Sequence, residues 1–140
     1  MLFRGRAEEE FVSSLVIRGE CTRVEPDRAR KELASQQQSL MRLKAKLDSS
    51  NENVRFLASY DTLMRHVEMW LLSHGVRLGD SPHATMRTII RHFGVDDPAL
   101  GIDRLVAIRH AAKKNSTPVP PGAHDVLQRI SESFRLKAST

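Results

Sequence analysis

An all-α protein, an antiparallel bundle of five or six helices, is the fold class that the sequence predicts. Three observations carry that prediction. Apolar residues recur at spacings of three, four and seven through most of the 140 residues. Proline and glycine fall where helices would start and stop. No segment alternates polar and apolar residues long enough to read as a strand. Short connections between such helices favour antiparallel neighbours.

The first helix is expected in "AEEEFVSSLVIRG", where Phe11, Val12, Leu15 and Val16 share a stripe and Gly19 stops it. The second opens on Pro26, and Leu33, Leu40 and Leu47 then recur every seven residues with Leu43 between them. Ser49 and Glu52 have the spacing of a capping box for the third helix, which runs to Gly75. That helix carries two apolar stripes. One holds Val54, Leu57, Met64 and Leu71; the other holds Phe56, Tyr60, Leu63, Val67 and Trp70. Such a helix is central, covered by neighbouring helices or by a second subunit.

Ser81 as N-cap, Pro82 in the first turn and Gly94 as stop define a fourth helix. Asp97 and Pro98 repeat the device for "DDPALGIDRLVAIRHAAKK". Three prolines within residues 115–122, "NSTPVPPG", make a loop. A last helix carries Val126, Leu127, Ile130 and Phe134 on one face.

Length and composition suit one domain over residues 1–140, able to bury about 65–70% of its unfolded surface. Aromatic residues make up only 5%, so the core must be mainly aliphatic. The single cysteine, Cys21, permits neither an internal disulfide nor a zinc spacing and suits a reducing cytosol. No apolar run approaches the roughly 20 residues of a membrane span, and "MLFRGRAEEEF" lacks the apolar segment of a secretory signal. A cytoplasmic protein is expected.

The net charge of +5 favours polyanion partners, and 16 of the 22 basic residues are arginine, able to grip phosphate bidentately. The charges are spread along the chain rather than blocked into a tail.

Familiar chemical motifs are missing. There is no glycine-rich phosphate loop, HExxH, GxSxG or Cys-x-x-Cys. The histidines, at 66, 74, 83, 92, 110 and 124, are scattered, so no metal and no cofactor are expected. Asp61 and Glu68 fall near an apolar stripe of the third helix, and Arg65 stands four residues after Asp61. An Asp61–Arg65 pair would anchor the helix, or Asp61 would orient a basic residue at a cleft.

The stretch "DRLVAIRHAAKKN" concentrates the basic candidates. Leu105, Ile108 and Ala112 form its apolar stripe, and Arg104, Lys113 and Lys114 suit a solvated flank. The two lysines also complement the helix C-terminal dipole. His110 is left without a structural reason.

Several segments resemble, in order, a HEPN domain. They are "FVSSLVIRGECTRVEPDRARKELASQQQSL", "SYDTLMRHVEMWLLSHGVR", "SPHATMRTI" and "IDRLVAIRHAAKKNSTPVPPGAHDVLQRI". The resemblance spans about Phe11 to Phe134. It implies a small helical bundle of bacterial toxin–antitoxin or defence type, commonly homodimeric, with an Arg-x4–6-His motif. In active members it also implies metal-independent endoribonuclease activity: a ribose 2′-OH attacks phosphorus, histidine moves protons and arginine stabilises the phosphoryl charge.

Arg104–His110, Arg77–His83 and Arg87–His92 all meet the bare spacing. Only Arg104–His110 lies before the last loop and helix, where the resemblance places the motif. Aligned instead on Arg109-His110, the later slot falls on Lys114 or Asn115. Arg104, Arg109 and His110 are therefore the catalytic candidates, with Lys113, Lys114 and Asn115 as RNA contacts. Arg104 and His110 lie roughly 120° apart on a straight helix, so a shared substrate would need a dimer cleft or a distorted helix. A nucleotidyltransferase-like antitoxin is the partner implied, although the single tyrosine, Tyr60, is not next to the motif for modification. The contrasting expectation is a non-catalytic helical module that dimerises and binds a protein or RNA.

Overall fold

The computed structural model describes residues 2–115 and 117–139, with the side chains of residues 6–114 and 117–139. Among them are six helices: α1 Leu2–Ile17, α2 Pro26–Leu47, α3 Glu52–Ser73, α4 Pro82–His92, α5 Ile102–Asn115 and α6 Ala123–Ser139. The all-α expectation holds. It misses one element: β1, Cys21–Arg23, pairs antiparallel with β2, Val76–Leu78, setting Cys21 opposite Leu78 and Arg23 opposite Val76. Three residues per strand are too few to show a period of two, and this pairing is long-range.

The core forms around α3, which is touched by α2, α4, α5, α6 and β2. Phe56, Tyr60, Leu63, Val67 and Leu71 are fully enclosed on it. Of the two expected covers for the apolar circumference of α3, neighbouring helices supply it, and among its described apolar residues only Val54 at the helix start is exposed. The heptad leucines of α2 are half-buried against α3, whereas Met41 points to solvent.

Helix ends follow local chemistry, and two differ from expectation. Asn51, not Ser49, caps α3, its side chain accepting from the Val54 N–H at 3.1 Å; Ser49 Oγ accepts from Asn51 N–H instead. α5 starts at Ile102, four residues after Pro98. Asp97 Oδ1 folds the preceding segment by accepting from Ala99 and Leu100, and Asp96 Oδ1 takes the Ile102 N–H at 2.7 Å. Asp–Pro here opens a turn, since the carboxylates bond backbone amides that a helix would have used. Gly75, at φ 75°, turns α3 into β2, a conformation that costs other residues a steric clash.

The proline loop is a tied connector. Asn53 on α3 donates from Nδ2 to Thr117 O at 3.1 Å and accepts from Val119 N–H at 3.0 Å, while Val119 is buried. Asn53→Ala is expected to lower the unfolding free energy by about 1–2 kcal/mol. It should also speed proteolysis within residues 117–122. Unchanged cleavage there would mean that the prolines alone hold the loop.

Candidate anion-binding site

Tyr60 organises the chemistry of this molecule. Its ring is fully enclosed on α3, and its hydroxyl lies 2.7 Å from Nδ1 of His83 in the first turn of α4. The Arg109 guanidinium, from α5, sits over the ring at 4.9 Å from its centroid, a cation–π arrangement. α4 and α5 pack together, and on the helix surface Arg87 follows His83 and Lys113 follows Arg109 by one turn. Two short helices thereby aim four basic side chains at the neighbourhood of one phenol.

Burial pushes the Tyr60 hydroxyl up to about 12, the nearby Arg109 and Arg87 charges only partly offsetting it, so the phenol stays protonated. His83 is lowered from its ordinary value by desolvation first, then by Arg109 and Arg87, with Asp61 opposing. The imidazole is therefore neutral near neutral pH. Its tautomer follows from hydrogen-bond accounting. Among the described residues the enclosed Tyr60 O–H has no acceptor other than His83 Nδ1. Nδ1 must accept, so the proton of the neutral ring sits on Nε2. His83 is a donor at Nε2, not a base.

The charges around it are unequal. Arg87 lies 3.7 Å from Asp103, which also pairs with Arg91, so part of its charge is compensated. Among the described residues no carboxylate pairs with Arg109 or Lys113, and the enclosed Nε of Arg109 has no hydrogen-bond partner. Half-buried Arg109 and exposed Lys113 thus leave positive charge around Tyr60 and His83 that Asp61 only partly offsets, a setting that favours anions over cations.

The sequence candidates divide. Arg109 and Lys113 enter this cluster, the second through its charge on His83. Arg104, His110 and Lys114 are exposed on α5 outside it. Asn115 ends α5, and its side chain is outside the described residues. The expected Asp61–Arg65 pair does not form. Arg65 Nη1 turns to Gln36 Oε1 at 3.0 Å and to Glu68 at 3.1 Å, drawing α2 onto α3. Burial still raises the Glu68 carboxyl. Asp61 acts electrostatically on Tyr60 and His83. His83 itself entered the sequence reading only as the end of the Arg77–His83 spacing. Arg77 instead lies 3.5 Å from Glu32, so only the fold selects the histidine's real partners.

No protein-family model matches the chain, and no curated protein or solved structure matches it. Among the described residues no group of three or more His, Cys, Asp or Glu side chains could hold a metal ion, and no helix is long and apolar enough to cross a membrane.

The other histidines have structural surroundings. His124 Nδ1 lies 2.5 Å from Ser59 Oγ, His74 Nε2 lies 3.5 Å from Glu8, and His92 stacks on Phe11 with ring centroids 3.6 Å apart. His66 is different. Burial, and then the Arg135 charge, lower it to about 4. Above the ordinary value of 6.5 both folded and unfolded chains carry it neutral, so it has no pH effect there. Below that value the unfolded chain takes the proton first, and stability is lost until about pH 4. The expected loss is about 2 kcal/mol, allowing for the solvent-facing edge of the ring. Urea unfolding at neutral and acidic pH, beside His66→Asn, checks this. An equal acid loss in the variant would assign the effect to other groups.

Proposed function

We propose that this chain is an RNA-binding helical module that holds the phosphate backbone between α4 and α5 without cutting it. One observation carries the reading: the buried Tyr60 hydroxyl lies 2.7 Å from Nδ1 of His83, with the Arg109 guanidinium over the Tyr60 ring and the Lys113 charge acting on the same histidine. A phosphate oxygen accepts from such donors. Transesterification needs a group to accept the 2′-OH proton, and His83 in this tautomer has no free lone pair to offer. The ordered resemblance to HEPN domains supports RNA as the polyanion. A toxin–antitoxin or defence setting, a homodimer and a nucleotidyltransferase-like partner belong to that resemblance, and the basic face described here needs one chain.

The test is incubation of the protein with total tRNA and a single-stranded RNA in EDTA, beside Arg109→Ala and His110→Ala. Binding without cleavage is expected, weakened in Arg109→Ala and kept in His110→Ala. Affinity should fall with salt with a logarithmic slope of about −1.4, for the two phosphate contacts of Arg109 and Lys113 at about 0.7 each. EDTA-resistant cleavage that disappears in His110→Ala would overturn this reading and make the exposed α5 motif a ribonuclease site. Salt-insensitive affinity would equally overturn it.

A further inference from the structure

Of the groups gathered around Tyr60, His83 is the one whose ordinary pKa, 6.5, lies close to neutrality. Four sources of positive potential oppose its protonation. Arg109 and Lys113 act from α5, and Arg87 stands one turn along α4. The fourth is the N-terminus of α4, where His83 is the second residue and the Ser81 side chain makes no capping bond. From α3, Asp61 pulls the other way. Tyr60, also on α3, adds a bias of its own: among the described residues its enclosed hydroxyl has no acceptor but Nδ1 of His83. A proton on Nδ1 would reverse that bond and leave the phenol hydrogen unpartnered.

A phosphate changes this balance. Seated at Arg109 and Lys113, it compensates the charges that repel an imidazolium, so His83 takes up a proton more readily. Linkage makes the effect mutual: the factor by which the anion raises proton affinity is the factor by which the proton raises anion affinity. Desolvation, the largest cause of the lowered His83 value, is not relieved in this way, so only the charge part of the shift enters the coupling.

We propose that His83 makes RNA binding proton-coupled: a phosphate held by Arg109 and Lys113 and a proton on His83 each strengthen the other. The inference rests on the phosphate-binding reading of this cluster.

The full chain is titrated with oligouridylate, whose bases and phosphodiesters keep their charge from mild acid to neutrality. Ionic strength is held constant, and the pH runs from one unit above to one and a half units below the ordinary histidine value. Affinity is expected to rise about tenfold on acidification, towards the lower end of the range for coupled sites. In NMR the His83 ring should titrate about one pH unit higher with the oligonucleotide bound, as the same factor requires. His83→Gln should lose the rise whatever its affinity at neutral pH, and His110→Gln should keep it. Arg109→Ala should raise the His83 midpoint in the free protein, and circular dichroism checks that each variant keeps its helices. An equal rise in His83→Gln would assign the effect to Asp61 or another histidine and overturn the proposal, as would a His83 midpoint indifferent to RNA. Binding at neutral pH with no rise in acid would overturn this inference alone. No binding at either pH would overturn the phosphate reading and this inference with it.

Discussion

Arg109→Ala is expected to lower the affinity for single-stranded RNA by about tenfold to a hundredfold while leaving the helices in place. Removing a charge-assisted contact costs about 1.5–3 kcal/mol, which converts to that range. Arg109 carries more than its neighbours because its charge has no carboxylate partner among the described residues, whereas Arg87 shares Asp103 with Arg91. Its guanidinium is also held over Tyr60, so little side-chain freedom is lost when a phosphate arrives. Filter binding at several salt concentrations reads the effect, and the salt slope should become shallower by roughly one phosphate contact. Arg104→Ala is the matched control, since Arg104 is exposed on the same helix outside the cluster. Equal losses in the two variants would reduce the site to diffuse basic charge on α5.

Phe134→Ala is expected to lower the unfolding free energy by about 3–5 kcal/mol, a large part of the total for a domain of this size. Phe134 is 1% exposed on α6, and its ring meets Trp70 of α3 and Phe93 after α4 edge-on, at centroid distances of 6.3 and 5.3 Å. The aromatic residues are few, but here they sit where three elements join, so the deletion leaves a cavity that several helices would have to close. Urea unfolding followed by circular dichroism reads the loss. Leu136→Ala, at a site 61% exposed two residues further on, should stay within about 0.5 kcal/mol. A loss under about 1 kcal/mol at Phe134 would mean that α6 repacks around the gap.

Helix identity was legible because the apolar periods of α2, α3 and α6 are long and local, and Gly75 and Gly94 announce ends that only positive φ allows. The start of α5 was not, because Asp–Pro serves a capped helix and an aspartate turn equally well; the choice lies with Asp96, whose carboxylate reaches Ile102 six residues away. Three-residue strands likewise left no periodic trace.

The site divides along the same line. The sequence by itself determined the all-α class, a basic balance rich in arginine, and a fifth helix on which Arg109 and Lys113 stand one turn apart. Only the tertiary structure decided which partners matter. It turned Arg109 onto Tyr60, 49 positions earlier in the chain by the numbering, and set His83 on the Tyr60 hydroxyl, while leaving Arg104 and His110 outside. Spacing along a chain reports neighbours on one helix face. A hydrogen bond between α3 and α4, and the tautomer it imposes on a histidine, depend on how separate helices pack, which no local pattern encodes.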